Sequence, residues 1–208
     1  MPWIVATVAL VLSVVIARVW MSWLTAARLD QPISVAGAFH FERPVTLRVS
    51  DRYFLELCFD RRDATFETLR SLVGGTYGQK LEIGGRLLDA GEPPGLPIPL
   101  QWSLQNSAGD IVASGRSDVL GANSWSAAEV GRVLYQGDLD AGHYIFLSEL
   151  TNGIPEFLGI RSHLRLEVSP KHTHSRLMAT YWWATMFIPI ALLVSIATAI
   201  AGLWTWAK

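Results

Sequence analysis

Residues 44–60 read PVTLRVSDRYFLELCFD, and the period of this stretch decides the fold class. Val45, Leu47 and Val49 alternate with Thr46, Arg48 and Ser50. Beyond the polar SDR step, Tyr53, Leu55, Leu57 and Phe59 alternate with Phe54, Glu56 and Cys58. Successive side chains of a strand point to opposite faces, so the spacing predicts two strands joined as a hairpin with one buried face. Asp63 is then placed to cap a short helix whose Phe66, Leu69 and Val73 share one side, and Gly74-Gly75 ends it.

The alternation returns downstream. Ile98, Leu100, Trp102 and Leu104 form one apolar face, NSAGD (106–110) turns the chain, and residues 111–113 come back as a second hairpin. SAAE (126–129) reads as one helical turn capped by Ser126. Val133 to Tyr135, LDAGHYIFLSEL (139–150), a turn at Asn152-Gly153 and a last strand with Leu164, Leu166 and Val168 on one face complete the pattern. These short strands with one helix predict a mainly β fold, an immunoglobulin-like antiparallel β-sandwich. Leu139-x-x-Gly142-x-Tyr144 looks like the corner of such domains, where a Tyr hydroxyl bonds back to upstream backbone. The single Cys58 forms no intrachain disulfide, so the Cys…Trp…Cys pattern is absent.

Both ends of the chain are apolar. Residues 178–207 hold no Asp, Glu, Lys or Arg, and Trp182, Trp183, Trp204 and Trp206 stand at the two ends of the run. About 20 apolar residues cross a bilayer, so this run predicts a transmembrane helix with interfacial Trp belts, kinked at Pro189. Residues 2–27 carry one charge, Arg18. A cleaved signal peptide ending near Thr25-Ala26-Ala27, a span with a snorkelling Arg18, and a span with Arg18 as an intramembrane functional charge are the open readings; the snorkelling span is adopted. The expected organisation is a first span at 1–29, a β-sandwich at 30–170, a juxtamembrane linker at 171–177 and a second span at 178–208. Ala9, Ser13 and Ala17 recur every four residues, as do Ala191, Ser195 and Ala199, which points either to a packed helix pair or to the ordinary abundance of Ala in apolar helices. Two spans put both termini on one side; the expectation is an inner-membrane protein with cytoplasmic termini and a periplasmic domain, although the flanking Arg18, Arg28, Lys171 and Arg176 oppose that orientation.

Composition excludes some partners. Between residues 30 and 176 stand 14 of the 17 Lys and Arg and all 18 acids, a formal charge of about −4. Arginines interleaved with acids argue against a nucleic-acid partner.

Four blocks, YFLELCFDRRDATFETLRSLVGG (53–75), PIPLQWSL (97–104), SWSAAEVGRVL (124–134) and LDAGHYIFLSELTNGIPEFLGIRSHLRLEV (139–168), resemble an uncharacterised bacterial family with a domain of unknown function at the cell envelope. The resemblance covers roughly residues 31–168. It implies an envelope domain and supplies no catalytic residue. Some such envelope proteins look like immunity partners of secreted antibacterial toxins.

Chemistry-bearing motifs are scarce. There is no G-x-S-x-G elbow, P-loop or H-E-x-x-H, and no Cys/His set with zinc spacing, so the chain is read as non-enzymatic, with no cofactor and no metal. His172-x-His174 reads as a solvated linker, with a metal pair or a pH sensor as the alternative. Cys58 reads as a buried inert thiol. Asp60-Arg61-Arg62-Asp63 is a solvated turn, or else Arg61 and Arg62 belong to a binding rim. Two long loops, 84–97 with Arg86 and 118–129 with Leu120 and Trp125, are the candidate partner-binding segments. The expected function is a membrane-anchored protein-binding module, in its sharper form an immunity protein against a secreted toxin, with an accessory subunit of a membrane complex as the alternative.

Overall fold

The computed structural model describes residues 2–74, 80–81, 87–88, 95–117, 124–168, 173–176, 179–180, 193–198 and 200–202. The chain divides into two compact units, residues 27–167 and the two chain ends, 1–26 with 168–208.

The first unit is a β-sandwich, as the alternation predicts. Its strands are β1 (Leu29–Ile33), β2 (Phe39–Leu47), β3 (Asp51–Asp60), β4 (Lys80–Leu81), β5 (Leu87–Leu88), β6 (Leu100–Asn106), β7 (Ile111–Ser117), β8 (Ser124–Trp125), β9 (Glu129–Leu139), β10 (Gly142–Leu150) and β11 (Ser162–Val168). A five-stranded sheet runs β1-β11-β3-β9-β8, a four-stranded sheet runs β2-β10-β6-β7, and β4 pairs with β5. All the registered pairs are antiparallel. The core between the two large sheets holds Leu55, Leu57, Phe59, Leu100, Leu104, Phe146, Leu164 and Leu166, all at most 2% exposed. Trp102 meets Tyr135 edge-on at 5.3 Å and stacks with Phe146 at 6.5 Å.

Residues 44–60 are not a hairpin. β2 pairs with β10 in one sheet and β3 with β9 in the other, so the chain crosses between sheets at residues 48–50. Alternation reports a buried face and not the neighbouring strand, which is why both connections give the same pattern. The expected hairpin at 106–110 does form: β6 pairs with β7, and the Asn106 side-chain oxygen accepts from the amides of Ala108 and Asp110, at 2.9 Å each.

Two tyrosines lock the crossings. The Tyr144 hydroxyl donates to the Asp140 carbonyl at 2.9 Å, the corner expected from Leu139-x-x-Gly142-x-Tyr144. The Tyr53 hydroxyl donates to the Val49 carbonyl, also at 2.9 Å, so the 48–50 crossing has the same device.

The helix α2 (Phe66–Val73) buries Leu69 and Val73 and leaves Phe66 exposed. Its cap is Thr65, whose hydroxyl accepts from the Thr68 amide; Asp63, the expected cap, is held instead by Arg161. The exit is closed by three donors. The Gly74 amide bonds the Arg70 carbonyl at 3.0 Å, the Leu96 amide bonds Leu72 at 2.8 Å, and Arg132 Nη2 bonds Val73 at 2.7 Å. Gly95 lies against this exit with φ of 76°, where a Cβ would stand 2.5 Å from Gly74 N, so only glycine fits. Arg132 is fully buried and also donates to the Leu96 carbonyl. SAAE makes no helical turn; the Ser126 hydroxyl accepts from the amides of Ala128 and Glu129 and leads the chain into β9.

The second unit contains α1 (Pro2–Thr25) and helical residues 193–198 and 200–202. The expectation of two transmembrane helices, and with it of an inner-membrane protein with cytoplasmic termini and a periplasmic domain, is corrected here: among the described residues no helix is long and apolar enough to cross a membrane. A crossing needs about 20 apolar residues in one uninterrupted helix. The apolar run 178–207 meets that count in composition, but neither its described residues nor those of α1 supply a qualifying window. Of the two small-residue repeats, Ser13 donates to the Ala9 carbonyl at 2.8 Å and Ser195 lies in helical residues 193–198. The side chain of Ala17, and Ala191, Pro189 and Ala199 altogether, lie outside the described residues.

Candidate functional site

Of the expected partner-binding residues, Arg61 and Arg62 are described. Arg62 forms a two-pronged pair with Asp60 at 2.7 and 3.0 Å, and Arg61 donates to the Ser126 carbonyl at 2.6 Å while lying 5.6 Å from the Phe66 ring centre. Arg161 forks onto Asp63 at 2.8 and 2.9 Å and reaches Asp60 at 3.0 Å. The Arg62 guanidinium holds Asp60 well below the usual carboxylate range, and Arg161 does the same for Asp63. Arg62 and Arg161 are thus each paired with an acid of this rim, whereas Arg61 is held by a backbone carbonyl. Arg86 and Leu120 lie outside the described residues, as does the Trp125 side chain, although the Trp125 backbone in β8 pairs with Val130 of β9.

The outer face of the five-stranded sheet holds what sequence reading missed. Inward Leu164, Leu166 and Val168 on β11 leave His163, Arg165 and Glu167 outward, opposite Pro32 and Asp30 on β1. On β3 the outward residues are Glu56, Cys58 and Asp60, opposite Val133, Gly131 and Glu129 of β9. Long charged side chains thus close over Cys58, which is 2% exposed. Arg165 Nη2 pairs closely with Glu129 Oε2 and lies 2.8 Å from His163 Nε2. His163 Nε2 is also 3.5 Å from Glu129 and 3.7 Å from Asp30. The donor atoms of Cys58, Glu129 and His163 all lie within 4.8 Å of one another. A cleft of about 300 Å³, bordered by Asp30, Asp60, Glu129, Arg161 and His163, opens onto this cluster.

Its electrostatics are those of crowded acids under cover. Burial, with Glu167 beside it, raises the carboxyl of Glu56, and burial raises that of Glu167; the Arg165 guanidinium offsets part of each. Burial and the surrounding acids push the Cys58 thiol up to about 12. A thiol raised this far is protonated at neutral pH and gives up its proton only to a partner that stabilises the thiolate. The sequence signal for it was the outward parity of Cys58; what was missing is the register that brings His163 and Glu129, each on another strand, beside it.

The outer face of the four-stranded sheet is different in kind. Cross-strand partners define three rows: Pro44, Ile145, Gln105 and Ile111; then Glu42, Leu147, Ser103 and Ser114; then His40, Glu149, Gln101 and Arg116. Ile111 is 61% exposed and Ile145 37%. A register slip beside Gln105 turns Val112 outward as well, at 42%. The short Ser103 and Ser114 side chains form the floor of a hollow of about 610 Å³ flanked by His40, Glu149 and Arg116.

No protein-family model and no curated protein matches the chain. Among solved structures, the crystal structure of a protein from Sulfurospirillum deleyianum is similar, with a TM-score of 0.51 and 19% identity over 68% of this chain and 96% of that one. At that identity the likeness is one of fold alone.

Proposed function

We propose that the sandwich is a non-enzymatic protein-binding module that receives its partner on the outer face of the four-stranded sheet. The observation that supports this reading is the exposed row Pro44, Ile145 and Ile111, with Val112 at its end, beside the row of Glu42, Leu147, Ser103 and Ser114 and, beyond that, the polar row of His40, Glu149, Gln101 and Arg116. An apolar centre with a polar rim is the anatomy of a recognition patch, and its placement on paired strands keeps it rigid before binding. The hollow over Ser103 and Ser114 accepts a protruding side chain of the partner. A secreted antibacterial toxin, suggested by the resemblance, is the partner class to try first.

A photocrosslinking residue placed in the full chain at Ile145, at Ile111 or at Arg62 tests the reading in cells. Adducts with one protein from positions 145 and 111, abolished by Leu147→Arg, are expected. Adducts from position 62 alone, or from none, overturn it.

A further inference from the structure

We propose that Cys58, Glu129 and His163 form a binding site for a thiophilic divalent cation of the zinc class, in which the Arg165 guanidinium is the resident cation that the metal replaces. The three donors come from three different strands, β3, β9 and β11, and their ligand atoms lie within 4.8 Å of one another. Tetrahedral Zn²⁺, with bonds of roughly 2.0–2.3 Å, sets its ligands roughly 3.5 Å apart. His163 Nε2 and Glu129 Oε1 already stand at 3.5 Å.

The second observation is the thiol itself. Cys58 is 2% exposed, and among the described residues its thiol makes no hydrogen bond, although ligand atoms of Glu129 and His163 lie within 4.8 Å of it. Arg165 shows what charge the position favours. A guanidinium donates and cannot accept, so its 2.8 Å contact makes His163 Nε2 the acceptor, and the same nitrogen of Arg165 also meets Glu129 Oε2. The imidazole lone pair and a carboxylate oxygen thus converge on one cationic nitrogen, as they would on a metal ion.

Charge and donor type select the ion. One thiolate and one carboxylate balance a 2+ ion, with neutral His163 as third ligand and water from the cleft as fourth; binding sends the Cys58 proton to solvent. A mixed S, N, O set fits zinc and disfavours magnesium or calcium, which take oxygen ligands. The displaced Arg165 has acids to turn to, since Glu56 and Glu167 both lie within its electrostatic reach on the same face.

The test uses the full chain with Co²⁺ as a spectroscopic probe and Zn²⁺ as competitor. Because Cys58 is the chain's single cysteine, a sulfur-to-cobalt absorption band reports this site and not the His172-x-His174 segment. The expected result is a band that Zn²⁺ abolishes stoichiometrically. Cys58→Ser removes it, and His163→Ala, monitored by circular dichroism for folding, lowers Zn²⁺ affinity by more than about 100-fold, since even outer-shell changes cost about 10–100-fold. Arg165→Gln, which removes the competing cation, tightens binding. Absence of the band in both the parent chain and Arg165→Gln overturns the proposal, as does Zn²⁺ binding that survives His163→Ala and is lost on changing His172 and His174.

Discussion

The Ser50 hydroxyl accepts a hydrogen bond from the Ala141 amide at 2.9 Å and so ties the two sheet crossings together, each already locked by its own tyrosine, Tyr53 to Val49 and Tyr144 to Asp140. Thr46 and His143 add a 3.1 Å contact at the same end. Two bends that carry the chain in opposite directions between the sheets therefore share one hydrogen-bonded node.

Removing one hydroxyl from this node by Tyr53→Phe or Tyr144→Phe is expected to cost about 1 kcal/mol each in urea unfolding. Because the corners meet through Ser50 and Ala141, the double variant is expected to depart from additivity by at least about 0.5 kcal/mol. Simple additivity would show two independent corners.

The exit of α2 depends on a buried cation. Arg132 donates to Val73 and Leu96 while its Nε has no hydrogen bond among the described residues, and burial lowers its guanidinium to about 10. Arg132→Lys keeps the charge but loses the fork, stranding one carbonyl at about 1–3 kcal/mol. Gly95→Ala, which forces a Cβ against Gly74 at a φ of 76°, is expected to cost more than about 1 kcal/mol. Thermal unfolding of both variants, with α2 followed by hydrogen exchange, checks this.

Asp63 and Arg161 set an acid limit. The Asp63 carboxyl lies below its ordinary 3.8 because of the Arg161 hydrogen bonds, so its contribution is fully present above that value and is lost as the pH falls through the lower folded value. Asp63→Asn is expected to lower the melting temperature at pH 7 and to match the parent in strong acid.

Glu167 works in the opposite sense. Burial raises its carboxyl above the ordinary 4.5, so the folded state holds this proton more tightly than the unfolded chain does. Its stabilising contribution is complete below 4.5 and is lost as the pH rises through the folded value. Glu167→Gln is therefore expected to raise the melting temperature at pH 7 and to leave it unchanged at low pH. Lower stability at pH 7 would mean that the ionised carboxylate is favourably held by Arg165.

Which parts of this were legible in sequence follows from the range over which each feature is determined. Strand alternation, the 106–110 hairpin and the Tyr144 corner depend on neighbours a few residues away, and all three were readable. The Tyr53 corner has the same four-residue span, but the hairpin reading of residues 44–60 hid it, because a turn and a crossing share one hydrophobic pattern. Asp63 looked like a helix cap since capping is local, whereas its partner Arg161 is 98 residues away. The terminal spans rest on apolar composition alone, and among the described residues no helix is both long and apolar enough to cross a membrane. The Cys58, Glu129 and His163 cluster needs the register of three strands, and no spacing in the chain encodes it.

That register has a consequence for synthesis. β1 pairs with β11, β2 with β10 and β3 with β9, so the first three strands take their partners in reverse order from the last three, like nested brackets. None of the three pairs with another of the first three in either large sheet. On a ribosome moving at about 5–20 residues per second, β3 waits roughly 3–14 s between its own emergence and that of β9. Through that interval Tyr53, Leu55, Leu57 and Phe59 have no strand to join, and the nascent chain depends on chaperones or on its own solubility until its final third arrives.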